Sequence, residues 1–155
     1  MTMTVKPIPE GYHSVTPYLI FSGASDAIAF YKKALGAEEV TRMDGPGGRI
    51  HHAEIRIGDS HIMLGDEQPE IGAVSPKTIG GSPVSIHLYV EDVDAAVERA
   101  VAAGAKLVRP VADQFYGDRT GGVEDPFGYR CFIATHKEDL TMDEIRRRAA
   151  AQAPS

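Results

Sequence analysis

Residues 18–37 read YLIFSGASDAIAFYKKALGA, and residues 87–105 read HLYVEDVDAAVERAVAAGA. Each stretch begins with a short apolar strand pattern, passes through an acidic turn, continues as a helix pattern and ends in Gly-Ala. Phe21 matches Val90, and segment 58–64 matches segment 127–133 at the same offset along the chain. Gly36 matches Gly104 at an offset that is one residue shorter, because the turn in the second half has one residue fewer. The order of elements therefore predicts a tandem duplication.

Each half of this duplication predicts the element order βαβββ. In the first half, we expect strands over residues 15–21, 40–43, 51–57 and 61–64. Ser25 or Asp26 is the expected cap of the first helix, and Gly36 its expected end. In the second half, we expect strands over residues 84–90 and 106–110, around Val123, and over 130–135. The helix between the first two of these strands is expected to start at Asp92 and end at Gly104.

The duplication predicts an α+β fold of two tandem βαβββ modules in a single domain that covers residues 1–155. Module one covers about residues 13–65, and module two about residues 84–136. The linker between them, residues 66–83, is rich in proline and glycine. Thr141 followed by Glu144 forms a capping-box pattern, which predicts a short C-terminal helix in the tail over residues 137–155.

Composition excludes several classes of function. The chain has 16 Lys and Arg against 22 Asp and Glu, a net charge of −6, which argues against binding to nucleic acid. Its single cysteine, Cys131, excludes an internal disulfide framework and a cysteine-rich zinc site, and we expect this thiol to lie between sheet and helix. No apolar run is long enough to cross a membrane, and no secretory leader is recognised. We therefore expect a cytoplasmic protein with no membrane partner.

Three sets of residues resemble the vicinal oxygen chelate superfamily, which includes glyoxalase I, bleomycin-resistance proteins and extradiol dioxygenases. They are residues 28–31 with Leu35-Gly36, residues 90–93 with Gly104-Ala105, and Asp125-Pro126-Phe127-Gly128-Tyr129. The resemblance covers about residues 13–136. It implies a glyoxalase/bleomycin-resistance-type fold in which the curved sheets of two modules enclose a cleft. Many members form dimers, so a homodimer is expected.

The resemblance also implies where a metal would bind. The inherited ligand positions map to Thr16, Met63, Ser85 and Phe132. None of these side chains is an imidazole or a carboxylate, which zinc, nickel or iron would need in this family. We therefore expect no metal and no cofactor. The alternative is a relocated metal site of His52, Glu54 and His87.

Strand alternation assigns further side chains to the cleft. His52 and Glu54 share one face of their strand, so His51 is expected on the other, and the segment over residues 113–119 is expected to form a rim or lid. In that segment Arg119 is a candidate partner for an anion or carboxylate, or else a surface partner of Asp118. The full set of expected ligand-binding residues is Thr16, Tyr18, His52, Glu54, His61, Met63, Ser85, His87, Tyr89, Phe115, Tyr116, Arg119, Arg130 and Phe132.

An apolar and aromatic lining without metal ligands favours a binding protein over an enzyme. The hypothesis is a protein of the bleomycin-resistance type that holds a small aromatic molecule, with antibiotic sequestration as one use, and it assigns no catalytic residue. The first alternative is a metal-dependent lyase, isomerase or dioxygenase that uses the relocated ligands. In that case Glu54 or His87 would be the general base if it is not a ligand. The second alternative is a scaffold that serves only association.

Overall fold

The computed structural model describes residues 4–152, and the chain forms two compact units, residues 1–81 and residues 82–155. In the first unit the elements are β1 Tyr18–Phe21, α1 Ala24–Leu35, β2 Glu38–Asp44, β3 Ile50–Ile57, β4 Ser60–Asp66 and α2 Pro76–Ile79, with short 3-10 turns at Pro46–Gly48 and Pro69–Ile71. In the second unit they are β5 Ser85–Tyr89, α3 Val93–Ala102, β6 Lys106–Asp113, β7 Asp118–Glu124, β8 Arg130–His136 and α4 Met142–Gln152. None of the helices within residues 4–152 is long and apolar enough to cross a membrane.

Each unit contains one mixed four-stranded sheet. The strand orders are β1-β4-β3-β2 and β5-β8-β7-β6, and the first two strands of each order run parallel. Tyr18 lies opposite Met63, and His87 lies opposite Phe132, so the two pairs are related by the offset of the duplication. The predicted α+β fold of tandem βαβββ modules with a C-terminal helix is confirmed.

One helix covers one face of each sheet. In the first unit, the apolar face of α1 is buried with Phe21, Ile55 and Leu64 of the sheet. In the second unit, Val93 and Val97 of α3 are buried, as are Val123, Cys131 and Ile133 of the sheet. Cys131 therefore lies in the layer where the sequence predicted it, and burial raises the pKa of its thiol to about 12. Neither α1 nor α3 covers the opposite face of its sheet.

The start of α1 differs from the prediction. Gly23 is the N-cap and neither Ser25 nor Asp26 caps the helix, so that expectation was wrong. Asp66, at the end of β4, performs this role across the sheet. Its Oδ1 accepts the amides of Gly23 at 3.0 Å and Ala24 at 2.8 Å, and its Oδ2 accepts the amide of Ile50 at 2.7 Å. Three backbone donors that the helix and strand leave unpaired are thereby satisfied.

The other predicted helix ends agree better with the structure. Asp92 caps α3 by accepting the amide of Ala95 at 3.1 Å, and Gly36 ends α1 with φ of 68°. Helix α3 ends at its C-cap Ala103, one residue before the expected Gly104. Thr141 Oγ1 accepts the amide of Glu144 at 3.1 Å, as the capping pattern predicted for α4.

Several strand ends also differ from the sequence pattern. Strand β1 begins at Tyr18, because Pro17 has no amide hydrogen to donate to a ladder. Strand β6 continues past Pro110 to Asp113, which is tolerated because β6 is the last strand in its sheet order. The stretch after β4 contains α2. The Glu67 carboxylate holds this stretch by accepting a hydrogen bond of 3.2 Å from the amide of the buried Ser75.

His136 lies between two carboxylates at the end of the second sheet. Its Nδ1 lies 2.7 Å from Oδ1 of the buried Asp118, and its Nε2 lies 2.7 Å from Asp139. The hydrogen bond to Asp118, followed by that to Asp139, raises the pKa of His136 above its ordinary value. With a carboxylate at each ring nitrogen, the imidazolium form is favoured, because both nitrogens can then donate.

We expect Asp66→Ala to lower the free energy of unfolding by about 2–3 kcal/mol, because three amides lose their acceptor. The matched control is Asp92→Ala, which removes the acceptor of one amide and should cost about 1 kcal/mol. Denaturant unfolding of the two variants measures the difference. If Asp66→Ala costs no more than Asp92→Ala, the bridging role of Asp66 is wrong.

We expect an NMR titration to give His136 a pKa above its ordinary value of 6.5, and Asp118→Asn to bring it down. Because the folded pKa is raised, the stability that His136 contributes is fully present below its unfolded pKa and is lost as the pH rises through the folded value. The unfolding free energy lost in His136→Asn should therefore be larger at about pH 5.5 than at about pH 9. A wild-type titration at or below 6.5 would contradict this interpretation.

Candidate functional site

The first unit gathers six of the predicted ligand-binding residues on the sheet face opposite α1. Strand alternation explains this, since Ala53 and Ile55 are buried toward the helix while His52 and Glu54 between them point the other way. Glu54 is paired with Met63 of β4, and Met63 with Tyr18 of β1. The remaining two are His61 on β4 and Thr16 just before β1.

A chain of hydrogen bonds centred on Glu54 connects three of these side chains. His52 Nε2 lies 2.9 Å from Glu54 Oε2, and the Tyr18 hydroxyl lies 2.9 Å from His52 Nδ1. The hydroxyl of Tyr12 donates to the other carboxylate oxygen, Glu54 Oε1. The Tyr12 ring also stacks on the His61 ring, with centroids 3.9 Å apart and planes 17° from parallel. Two tyrosines and two histidines thus surround one carboxylate.

These contacts decide the charge of the cluster. Burial acts to raise the pKa of Glu54, but the hydrogen bonds from Tyr12 and His52 outweigh it and lower the pKa. The hydrogen bond to Glu54 raises the pKa of Tyr12. Burial, followed by the charge of Glu54, raises the pKa of Tyr18. At neutral pH Glu54 is therefore a carboxylate, and both tyrosines keep their protons as donors.

Tyr12 is the member of this cluster that sequence reasoning missed. It lies outside the predicted strands and helices, and it contacts Glu54 from 42 residues away along the chain. Its segment, residues 4–14, shows no strand or helix periodicity that would place its side chains. No local signal therefore indicated that the Tyr12 ring would stack on His61.

A β-bulge corrects the expected orientation of His51. Met43 pairs with His52 and Asp44 pairs with Ile50, which leaves His51 as an extra residue in β3. Ile50 is buried, whereas His51 is exposed and its Nδ1 lies 3.0 Å from Gln68 Nε2. Of the expected outer or helix-facing placement of His51, the helix-facing one was wrong, because simple alternation does not include the extra residue.

Two concave regions border the cluster within the first unit. One, of about 550 Å³, is lined by Tyr18, Ile20, Met43, His51, His52, Asp66, Gln68, Ile71 and Ala73. The other, of about 410 Å³, is lined by Pro7, Ile8, Pro9, Tyr12, His13, Ser14, Thr16, Glu54 and Met63. Gly65 contributes to the space beside Tyr18, because a Cβ there would lie 2.9 Å from the His51 carbonyl oxygen and 3.4 Å from the Tyr18 hydroxyl. We call the first region the Tyr18 cavity.

The sheet face of the second unit has different chemistry. Register places five of its predicted ligand-binding residues on one face, namely Ser85, His87, Tyr89, Arg130 and Phe132. The Phe132 ring lies against Gly122, where a Cβ would be 2.9 Å from the ring, and the Arg109 guanidinium is 5.5 Å from the ring centroid. The Tyr89 hydroxyl donates to Asp118 at 3.0 Å. Aromatic packing replaces the Glu54 cluster here.

The other three predicted residues of the second unit lie at the hairpin between β6 and β7. Phe115 and Tyr116 meet edge to face, with ring centroids 5.2 Å apart. Arg119 binds Asp94 at 2.8 and 3.0 Å and Asp113 at 3.2 Å, so the expected surface pair with Asp118 is not the one formed. A role for these three residues in binding a ligand stays a prediction.

The donor set does not fit a divalent metal. The four inherited positions carry a threonine, a methionine, a serine and a phenylalanine, which lack the imidazole and carboxylate groups that zinc, nickel or iron would use. Within residues 4–152, no group of three or more His, Cys, Asp and Glu side chains is arranged to hold a metal ion. Of the relocated candidates, His52 and Glu54 are hydrogen-bonded to each other.

Comparison with known proteins gives related sequences along nearly the whole chain. The uncharacterized protein Mb0911c of Mycobacterium bovis is 39% identical over 155 residues, which cover 98% of each chain. YjdN of Escherichia coli is 30% identical over 149 residues, which cover 83% of this chain and 99% of YjdN.

Solved structures share the fold. The gene product At5g48480 of Arabidopsis thaliana has a TM-score of 0.64 at 29% identity, covering 79% of this chain and 98% of that one. TioX from Micromonospora sp. ML1 has the same TM-score of 0.64 at 24% identity, covering 80% of this chain and 98% of TioX. The family model of the Glyoxalase/Bleomycin resistance protein/Dioxygenase superfamily matches residues 14–131. This chain belongs to that superfamily.

Proposed function

We propose that the protein binds a small planar organic molecule, without a metal ion, in the Tyr18 cavity of the first unit. The observation that carries the proposal is the composition of that cavity. Its volume of about 550 Å³ lies in the range of ligand pockets, and its walls combine aromatic and apolar side chains with a few polar groups. Tyr18, Met43 and Ile71 supply the apolar surface.

The exposure of these apolar walls supports the proposal. Tyr18 is 47% exposed, Met43 58% and Ile71 74%, although each is a large side chain that gains from burial. A flat aromatic molecule would cover part of this surface, while the polar atoms of His52 and Gln68 would orient it. Burial of apolar surface would supply most of the affinity, and the polar groups would supply the specificity.

The proposal includes three further elements from the sequence hypothesis. We propose that the protein acts in the cytoplasm as a homodimer, and that sequestration of a planar antibiotic is one use of the site. The predicted side chains of the second unit, such as His87, Tyr89 and Phe132, remain proposed contacts on their own sheet face.

Analytical ultracentrifugation tests the dimer directly, and a mass of one chain at micromolar concentration would contradict it.

We expect a fused-ring aromatic compound such as 2-naphthol to produce saturable NMR shifts at residues around the Tyr18 cavity. Met43→Ala should weaken binding by roughly fivefold, because about 1 kcal/mol of apolar contact is lost. The matched control is Leu107→Ala, since Leu107 is an exposed apolar residue on β6, the strand that corresponds to β2. Equal weakening in both variants, or shifts confined to residues outside the cavity, would contradict the proposal.

A further inference from the structure

The Glu54 cluster fixes the position of the proton on His52. A carboxylate can only accept hydrogen bonds, so the contact of 2.9 Å between His52 Nε2 and Glu54 Oε2 requires a proton on Nε2. In the neutral imidazole the other nitrogen, Nδ1, then has a lone pair and no proton. The lowered pKa of Glu54 agrees with this arrangement, because it keeps the carboxylate ionised.

The orientation of His52 decides what Tyr18 can offer to a ligand. The Tyr18 hydroxyl lies 2.9 Å from His52 Nδ1, and an unprotonated nitrogen can only accept. With His52 as the neutral imidazole, Tyr18 donates its one hydroxyl proton to His52. Tyr18 lines the cavity. Where a ligand reaches its oxygen, the site therefore accepts a hydrogen bond and does not donate one.

The surroundings oppose a negatively charged partner at the same position. Asp66 lines the Tyr18 cavity, and Glu54 lies one hydrogen bond beyond His52. These two carboxylates disfavour an anion in the cavity, while the lone pairs of the Tyr18 oxygen favour a ligand group that donates a hydrogen bond. Burying a ligand acceptor against the Tyr18 lone pairs would leave both groups unpaired, which costs about 1–3 kcal/mol.

We propose that the Tyr18 cavity selects neutral planar molecules that carry an O–H or N–H donor, with Tyr18 as the specificity-determining acceptor and Glu54 as the positioning residue behind it. This inference rests on the proposed function and adds the chemical class of the ligand. Tyr18 contacts the ligand directly, whereas Glu54 acts through His52.

The test compares 2-naphthol with 2-methoxynaphthalene, which has the same rings but no donor, by NMR titration or calorimetry. We expect the wild-type protein to bind 2-naphthol at least about tenfold more tightly. Tyr18→Phe removes the acceptor and should erase this preference by weakening 2-naphthol. Glu54→Gln presents both an amide donor and a carbonyl acceptor to His52, so either ring nitrogen of His52 can carry the proton. Tyr18 is then no longer fixed as an acceptor, and the preference for 2-naphthol should fall to about threefold or less. The matched control is Glu38→Gln on the exposed β2, which should keep the full preference.

The outcomes separate this inference from the proposed function. If the wild-type protein binds both compounds equally, the donor rule is wrong while the binding site stands. If Glu54→Gln folds and keeps the full preference, Glu54 does not position Tyr18. If neither compound shifts any residue of the cavity, the inference and the proposed function both fail. Tyr18→Phe keeps the donor rule testable even if Glu54→Gln does not fold.

Discussion

In each module, a side chain near the end of the last strand accepts an amide at the start of the helix, and this contact holds the helix on the sheet. Asp66 accepts from Ala24 in the first unit, and Thr135 accepts from Val93 in the second, across 42 residues in both cases. Amides in the first turn of a helix have no partner within it, so each contact satisfies a donor and anchors the helix to the sheet. With the helix fixed on one face, the other face is available for binding.

The two units use this frame for different chemistry. Met63 lies opposite Glu54, whereas Phe132, its counterpart in the repeat, lies opposite Gly122. In the first unit a carboxylate orients His52 and, through it, Tyr18. In the second unit the absence of a side chain at Gly122 lets the Phe132 ring lie against the strand. The two modules therefore carry different side chains on corresponding sheet faces, and we propose that a ligand binds at the first.

Local pattern was enough to predict most of the fold. The repeat, the element order and the shared face of His52 and Glu54 follow from periodicity and from the constant offset between the two halves. What the pattern missed depends on contacts between distant parts of the chain. Asp66 caps α1 from 42 residues away, Tyr12 reaches Glu54 over the same separation, and the bulge at His51 depends on the register with β2. Such contacts depend on the assembled sheet, which no short window of sequence contains.

The most direct test of the Glu54 cluster is the protonation state of the His52 ring, read from the ¹⁵N shifts of both ring nitrogens by NMR at neutral pH. The account predicts a proton on Nε2, where His52 donates to Glu54, and no proton on Nδ1, which accepts from Tyr18. Glu54→Gln should disturb this pattern, while Glu38→Gln should leave it unchanged. A proton on Nδ1 in the wild-type protein, or a ring averaging between both forms, would contradict the account, because Tyr18 would no longer be fixed as an acceptor.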